Sequence, residues 1–198
     1  VELLALFEAL PQLRDDRSAF KAKLKEYHTA VVQAATQRGE YNKIPMEVHF
    51  YKVQYLFYSQ ILFVFSFFLV ALSWLFPGSK WLNRATIISI LIPTVLLIIG
   101  ITLRCIIRGR PPVSTLYETV LFITATAIVC ALFMEFFNRQ RIALGLASFL
   151  GMAGMFLAFR YEAKEGVDTM PSLVAVLDTN FWLATHVTTV TAGYAAGL

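Results

Sequence analysis

The sequence predicts an all-α protein, a polytopic transmembrane helical bundle of about five spans carried behind an amphipathic helical region that stays in water. Three observations predict it. Hydrophobic residues make up 58% and charged residues 15% of the 198 residues, where soluble domains hold about half and about a quarter. Uncharged runs of span length recur along the chain, separated by short charged or Pro/Gly-containing connections, which imply antiparallel neighbours. Between Val1 and Lys52, by contrast, eight Lys and Arg stand beside seven Asp and Glu. Residues 1–52 are therefore read as an extramembrane region and residues 53–198 as the transmembrane domain.

In the first region, Phe20, Leu24, Tyr27, Val31 and Ala34 fall at steps of three and four within Ser18 to Thr36, with Lys21, Lys23, Lys25 and Glu26 on other faces. That spacing predicts a surface helix. The opening VELLALFEAL lacks a basic n-region and a small-residue cleavage site, so it does not read as a signal peptide. A chain that starts on Val is expected to be a piece of something longer.

YLFYSQILFVFSFFLVALSWLF, with no charge between Lys52 and Lys80, is the first span. Ala85 to Ile107 is the second, with Pro93 expected to kink it and Arg104 close enough to its end to snorkel. Leu116 to Phe137 is the third and Ile142 to Phe159 the fourth. Phe181 onward is the fifth, expected to be truncated. Cys105 lies near the end of span two and Cys130 well inside span three, some ~20 Å deeper at about 1.5 Å per residue, so no disulfide joins them. A pI near 9.1 without a basic stripe of interleaved aromatics does not point to nucleic acid.

Four stretches bear on function. RGRPPVSTLYET joins spans two and three, with Pro111 and Pro112 forbidding helix and Thr115 to Glu118 at capping-box spacing. Its cluster of Arg108, Arg110, Tyr117 and Glu118 at one membrane face either anchors the interface or binds carboxylates such as propionates, with anchoring favoured. In span four, Ala147, Gly151, Gly154 and Ala158 form a small-residue stripe, read as a helix-packing surface. Gly193 and Gly197 make a similar pair in span five. On that helix Trp182, His186, Thr189 and Gly193 share one face, shaped for a large planar guest.

An ionisable residue in a membrane helix is a candidate functional group, because leaving it unpaired in lipid is costly. The bland alternative is an interfacial histidine satisfied by headgroups or a backbone carbonyl, and pattern alone leaves the two open for His186. His49, between Glu47 and Lys52 at the water boundary, reads as a solvated interfacial residue, and His28 as a plain member of the amphipathic region.

Two of these stretches carry a family resemblance. RPPVSTLYETVLF and MPSLVAVLDTNFWLATHVTTVTAGYAAGL, in that order, resemble the cytochrome c assembly proteins of the CcsA/ResC type, within the wider haem-handling group that includes CcmF. The resemblance covers roughly Arg104 to Leu198. It implies haem transport and presentation, and ligation to the CxxCH cysteines of apocytochrome c in a System II haem-lyase complex. The haem would enter as haem b and leave as the c type. A ResB/CcsB-type partner or fused domain is implied too, as is residence in the bacterial inner membrane.

His186 matches a histidine that in that family is one of two outer axial ligands to haem iron, which makes it the implied metal ligand here. The family's tryptophan-rich segment and its second outer histidine lie downstream of the matching position, so half of a haem site is expected within these residues, and Trp74, Trp81 and Trp182 form no such cluster. No catalytic residue is assigned. Loop charges oppose the implied orientation by a thin margin: Arg104, Arg108, Arg110, Arg160 and Lys164 on the His186 side face Lys80, Arg84, Arg139 and Arg141 on the other, while the resemblance puts His186 outside. The competing class is a polytopic transporter or channel subunit without haem, against which stands the lack of a mid-span Asp, Glu or Arg and of an internal repeat.

Overall fold

The computed structural model describes residues 2–11, 16–39, 41–76, 78–165 and 181–197. Among them the regular structure is all helical, with α1 (Glu2–Glu8), α2 (Arg17–Gln37), a 3-10 turn (Tyr41–Lys43), α3 (Ile44–Val53), α4 (Tyr55–Leu75), α5 (Lys80–Arg108), α6 (Leu116–Asn138), α7 (Ile142–Glu165) and α8 (Phe181–Ala196), and no strand. The chain divides into two compact units, residues 1–49 and 50–198.

In the first unit α1 packs on α2, with the Phe7 and Tyr27 rings 5.8 Å apart. Asp16 caps α2, which starts at Arg17, one residue before the Ser18 to Thr36 stretch, by accepting the Ser18 and Ala19 amide hydrogens at 2.9 and 3.1 Å. Those bonds, that of Ala19 foremost, hold its carboxyl below the ordinary carboxylate range. Of the predicted apolar stripe, Phe20, Tyr27, Val31 and Ala34 are half-buried and Leu24 is exposed.

The second unit holds the membrane bundle. Four stretches are long and apolar enough to cross a bilayer: Tyr41–Leu75, Lys80–Arg108, Leu116–Asn138 and Ile142–Lys164. The first is broken at Gln54, whose left-handed backbone (φ 52°) separates α3 from α4. The fourth outruns its expected end at Phe159, because Arg160, Glu162 and Lys164 are good helix formers that extend it beyond the apolar run. The fifth expected span is α8, whose 16 residues rise about 24 Å, less than the ~30 Å hydrocarbon thickness. Cys105 and Cys130 are both free thiols.

Helices α4 and α5 pack intimately, as do α6 and α7; α4 also lies against α7 and α8 runs along α6, while α5 and α6 touch more sparsely. The α7 stripe makes the close approaches. Ala147 and Ala158 are fully buried, Gly151 faces the Phe63 ring of α4, and Gly154 faces the Thr124 side chain of α6.

Between α4 and α5 the seam is polar. Ser59, Ser66 and Ser73, seven residues apart, are buried on one side of α4. Proline at 93 has no N–H, so the carbonyl of Ser89 loses its partner within α5. The Ser66 hydroxyl of α4 lies between that carbonyl and the Leu62 carbonyl of its own helix and shares its one proton between them, and the Ser59 hydroxyl donates to the carbonyl of Pro93 itself at 2.9 Å. A backbone acceptor that no water could reach in lipid is thereby satisfied from the neighbouring helix, and α5 runs through Pro93 as one element.

Candidate functional site

Two groups of residues stand out, and the first is the turn between α5 and α6. Gly109 closes α5 with a left-handed backbone (φ 66°) and an N–H bond to the Cys105 carbonyl at 2.7 Å. Pro111 and Pro112 carry the chain across in a non-helical path, and Thr115 caps α6 by accepting the Glu118 N–H at 3.2 Å. The expected capping box is thus half realised. The Glu118 side chain is committed elsewhere: its Oε1 accepts from Arg104 Nη2 at 3.4 Å and from Arg110 Nη2 at 3.3 Å.

The Arg104 guanidinium also sits 4.9 Å from the centre of the Tyr117 ring. Arg104 is 3% exposed and Glu118 5%, so the expectation that Arg104 snorkels is wrong. A carboxylate one helix away, at a matching depth, holds it inside. Arg104, Tyr117 and Glu162 further line a recess of about 320 Å³ walled by Tyr55, Phe57 and Phe159.

The second group is the α8 face singled out by the sequence. Trp182 is 79% exposed, and His186, Thr189 and Gly193 are exposed with it. The Thr189 hydroxyl donates back to the Thr185 carbonyl at 2.8 Å. A side-chain carbon built on Gly193 would meet nothing within 4 Å, so the glycine pair expected to pack does not do so there, unlike Gly151 and Gly154. This face therefore turns away from α6 and leaves room over the backbone beyond the imidazole. His49 and His28 are exposed in the first unit. Among the described residues no three His, Cys, Asp or Glu come together as a metal cluster, so a metal held here would have the imidazole of His186 as a single ligand from this helix.

Comparison with known proteins bears on what such a face serves. The chain is 30% identical over 141 residues, 70% of its length, to the cytochrome c biogenesis protein CcsA of Trieres chinensis. It is 38% identical over 96 residues, 48% of its length, to protein NrfI of Wolinella succinogenes. The chain belongs to the CcsA-type cytochrome c biogenesis family. It spans 44% of the CcsA relative and 10% of NrfI. No family model matches it, and no solved structure does. Its four apolar spans agree with an integral membrane member of the CcsA-type family.

The sequence groups Arg108, Arg110, Tyr117 and Glu118 but assigns Arg104 to the lipid boundary, whereas Arg104 and Arg110 share Glu118. The available signal was its separation from Glu118, fourteen residues across a helix end and a double-proline turn, which returns the two side chains to similar depth.

Proposed function

We propose that this chain is the haem-presenting part of a cytochrome c assembly protein of the System II type, with His186 as an axial ligand to haem iron. Haem is the cargo, and apocytochrome c the acceptor of a haem-lyase complex completed by a ResB/CcsB-type partner or fused domain. The carrying observation is the α8 face itself, on which an imidazole stands exposed in line with Trp182 and Thr189, with open space over Gly193. Membership of the CcsA-type family and the Leu183 to Val187 motif support the same reading.

The residues fit a flat, iron-bearing guest. A neutral imidazole is a good iron ligand. The indole of Trp182 offers a ring one turn away, and the glycine lets a macrocycle edge approach the backbone. Thr189 spends its hydroxyl on the helix, which keeps that part of the face from competing for the metal. Holding the iron on imidazole keeps other ligands off it until delivery, and a second imidazole from outside residues 1–198 completes the pair. By the alternation of four spans, α8 begins on the membrane side where α5 ends and α6 begins. We place that side outside, in the bacterial inner membrane, with residues 1–52 as its extramembrane region and residues 53–198 as the haem-handling domain.

The test uses the complete protein. His186→Ala is expected to lower haem retention and abolish holocytochrome c formation, and free imidazole, entering the space left beside Thr189, to restore both in part. His49→Ala is the control with little effect. Wild-type haem content and cytochrome yield in His186→Ala, or a larger loss in His49→Ala, refutes the assignment. Absence of a haem Soret band from the purified wild-type protein favours the transporter class instead.

A further inference from the structure

At the opposite end of the bundle, where α5 begins and α6 ends, a cavity of about 440 Å³ opens between the helices. Its polar end is made by Asn83, Glu135, Arg139 and Arg141. Its walls are apolar, with Ile87 and Leu91 of α5 facing Leu132 and Phe136 of α6. The α6–α7 turn that shapes the polar end has both Arg139 (φ 52°) and Arg141 (φ 64°) in the left-handed region, a conformation costly for side chains of this size. Glu135 stabilises it, since its Oε1 accepts the Arg141 N–H at 2.9 Å. The other oxygen, Oε2, is shut off from solvent and has no hydrogen-bond partner.

We propose that this cavity is a binding site for one phospholipid whose head group is phosphoethanolamine. Arg139 and Arg141, which line the cavity, bring two positive charges that match the phosphate. A carboxylate oxygen lacking a donor matches the primary ammonium, reached by a small turn about the soft terminal torsion of Glu135. The apolar walls take the start of an acyl chain. An anionic head group such as phosphatidylglycerol supplies the phosphate but no cationic donor for Glu135. Phosphatidylcholine has the charge, but its quaternary nitrogen carries no N–H.

The experiment is native mass spectrometry of the complete, delipidated protein with chain-matched phosphatidylethanolamine, phosphatidylcholine and phosphatidylglycerol, each in competition. One charge-assisted hydrogen bond predicts that phosphatidylethanolamine is retained roughly tenfold better than phosphatidylcholine. Glu135→Gln keeps an oxygen for the Arg141 N–H, so the turn survives, and is expected to reduce that preference to about twofold or less. Arg139→Gln together with Arg141→Gln is expected to weaken all three lipids. Water-soluble glycerophosphoethanolamine is expected not to displace the lipid. Equal retention of phosphatidylethanolamine and phosphatidylcholine by wild type, an unchanged preference in Glu135→Gln, unchanged retention in the double arginine variant, or displacement by the soluble head group overturns the proposal. Haem content plays no part in the readout.

Discussion

Replacing Glu118 by Leu removes the anion that two guanidinium groups share, and the structure sets the size of the effect. All three side chains are almost wholly buried, at 4% to 6% exposure, so solvent screens little of the interaction. Removing one partner of a buried ionic group costs about 3–5 kcal/mol. The two contacts are 3.4 and 3.3 Å long, beyond the ~2.7–2.9 Å of a strong charge-assisted bond, which places the loss at the lower end, about 3 kcal/mol. Glu118→Gln keeps an acceptor and loses only the charge assistance, so about 1–2 kcal/mol is expected.

Unfolding in mixed detergent micelles, followed by circular dichroism, measures both. The combined change Arg104→Met, Arg110→Met, Glu118→Leu replaces ions by apolar groups of similar reach and is expected to recover most of the lost stability. A loss below about 1 kcal/mol for Glu118→Leu, or no recovery in the triple variant, refutes the buried ionic cluster as a stabilising unit of these spans.

A methyl on Gly154 collides with the Thr124 side chain, which its bond to the Val120 carbonyl at 2.7 Å keeps in place, so Gly154→Ala is expected to destabilise by about 1–3 kcal/mol in the same micelle assay. Gly193→Ala meets nothing and, by helix propensity alone, is expected to stabilise by about 0.5–1 kcal/mol. Because the folded-state pKa of Asp16 is depressed, its contribution to α2 is present above the ordinary value of 3.8 and is lost as pH falls through the lower folded value. Cα chemical shifts of Ser18 to Phe20 are expected to lose helical character there, and to keep it in Asp16→Asn, which caps without titrating. Cysteines introduced at Gly78 and Gly166, on a background lacking Cys105 and Cys130, are expected to label from opposite membrane sides, Gly166 from outside; labelling of Gly166 only after permeabilisation inverts the topology.

The spans were legible because the cost of a charge in hydrocarbon leaves a one-dimensional record: runs from Tyr55, Ala85, Leu116 and Ile142 begin within a few residues of their helices or inside them. Their far ends were less so, since nothing in hydropathy separates helix leaving the membrane from loop, as Arg160 to Glu165 demonstrate. The alignment of Trp182, His186, Thr189 and Gly193 followed from helical period alone. What that face lacks, a covering neighbour, is a property of packing and was not written in the period. Likewise the ion cluster needed the Gly109 to Thr115 path before Arg104 could be matched with Glu118. Ser59, Ser66 and Ser73 leave little trace in hydropathy, because hydroxyls hardly disturb it, although their heptad spacing and the proline in the next span are both present in the sequence.

The bond from Ser66 to the Ser89 carbonyl bears on how the bundle is built. A transmembrane helix usually leaves the insertion machinery with its backbone already self-satisfied, so that partners are chosen afterwards. The segment from Lys80 to Arg108 departs from this, because one of its carbonyls is answered by a side chain on another span. Synthesis runs from the amino terminus, so Ser66 has already emerged when Pro93 does. The two spans thus make a helical hairpin in which the earlier member supplies a donor that the later one needs. A proline in the middle of this membrane is tolerable where a hydroxyl on the preceding span lies against the carbonyl that the proline leaves open.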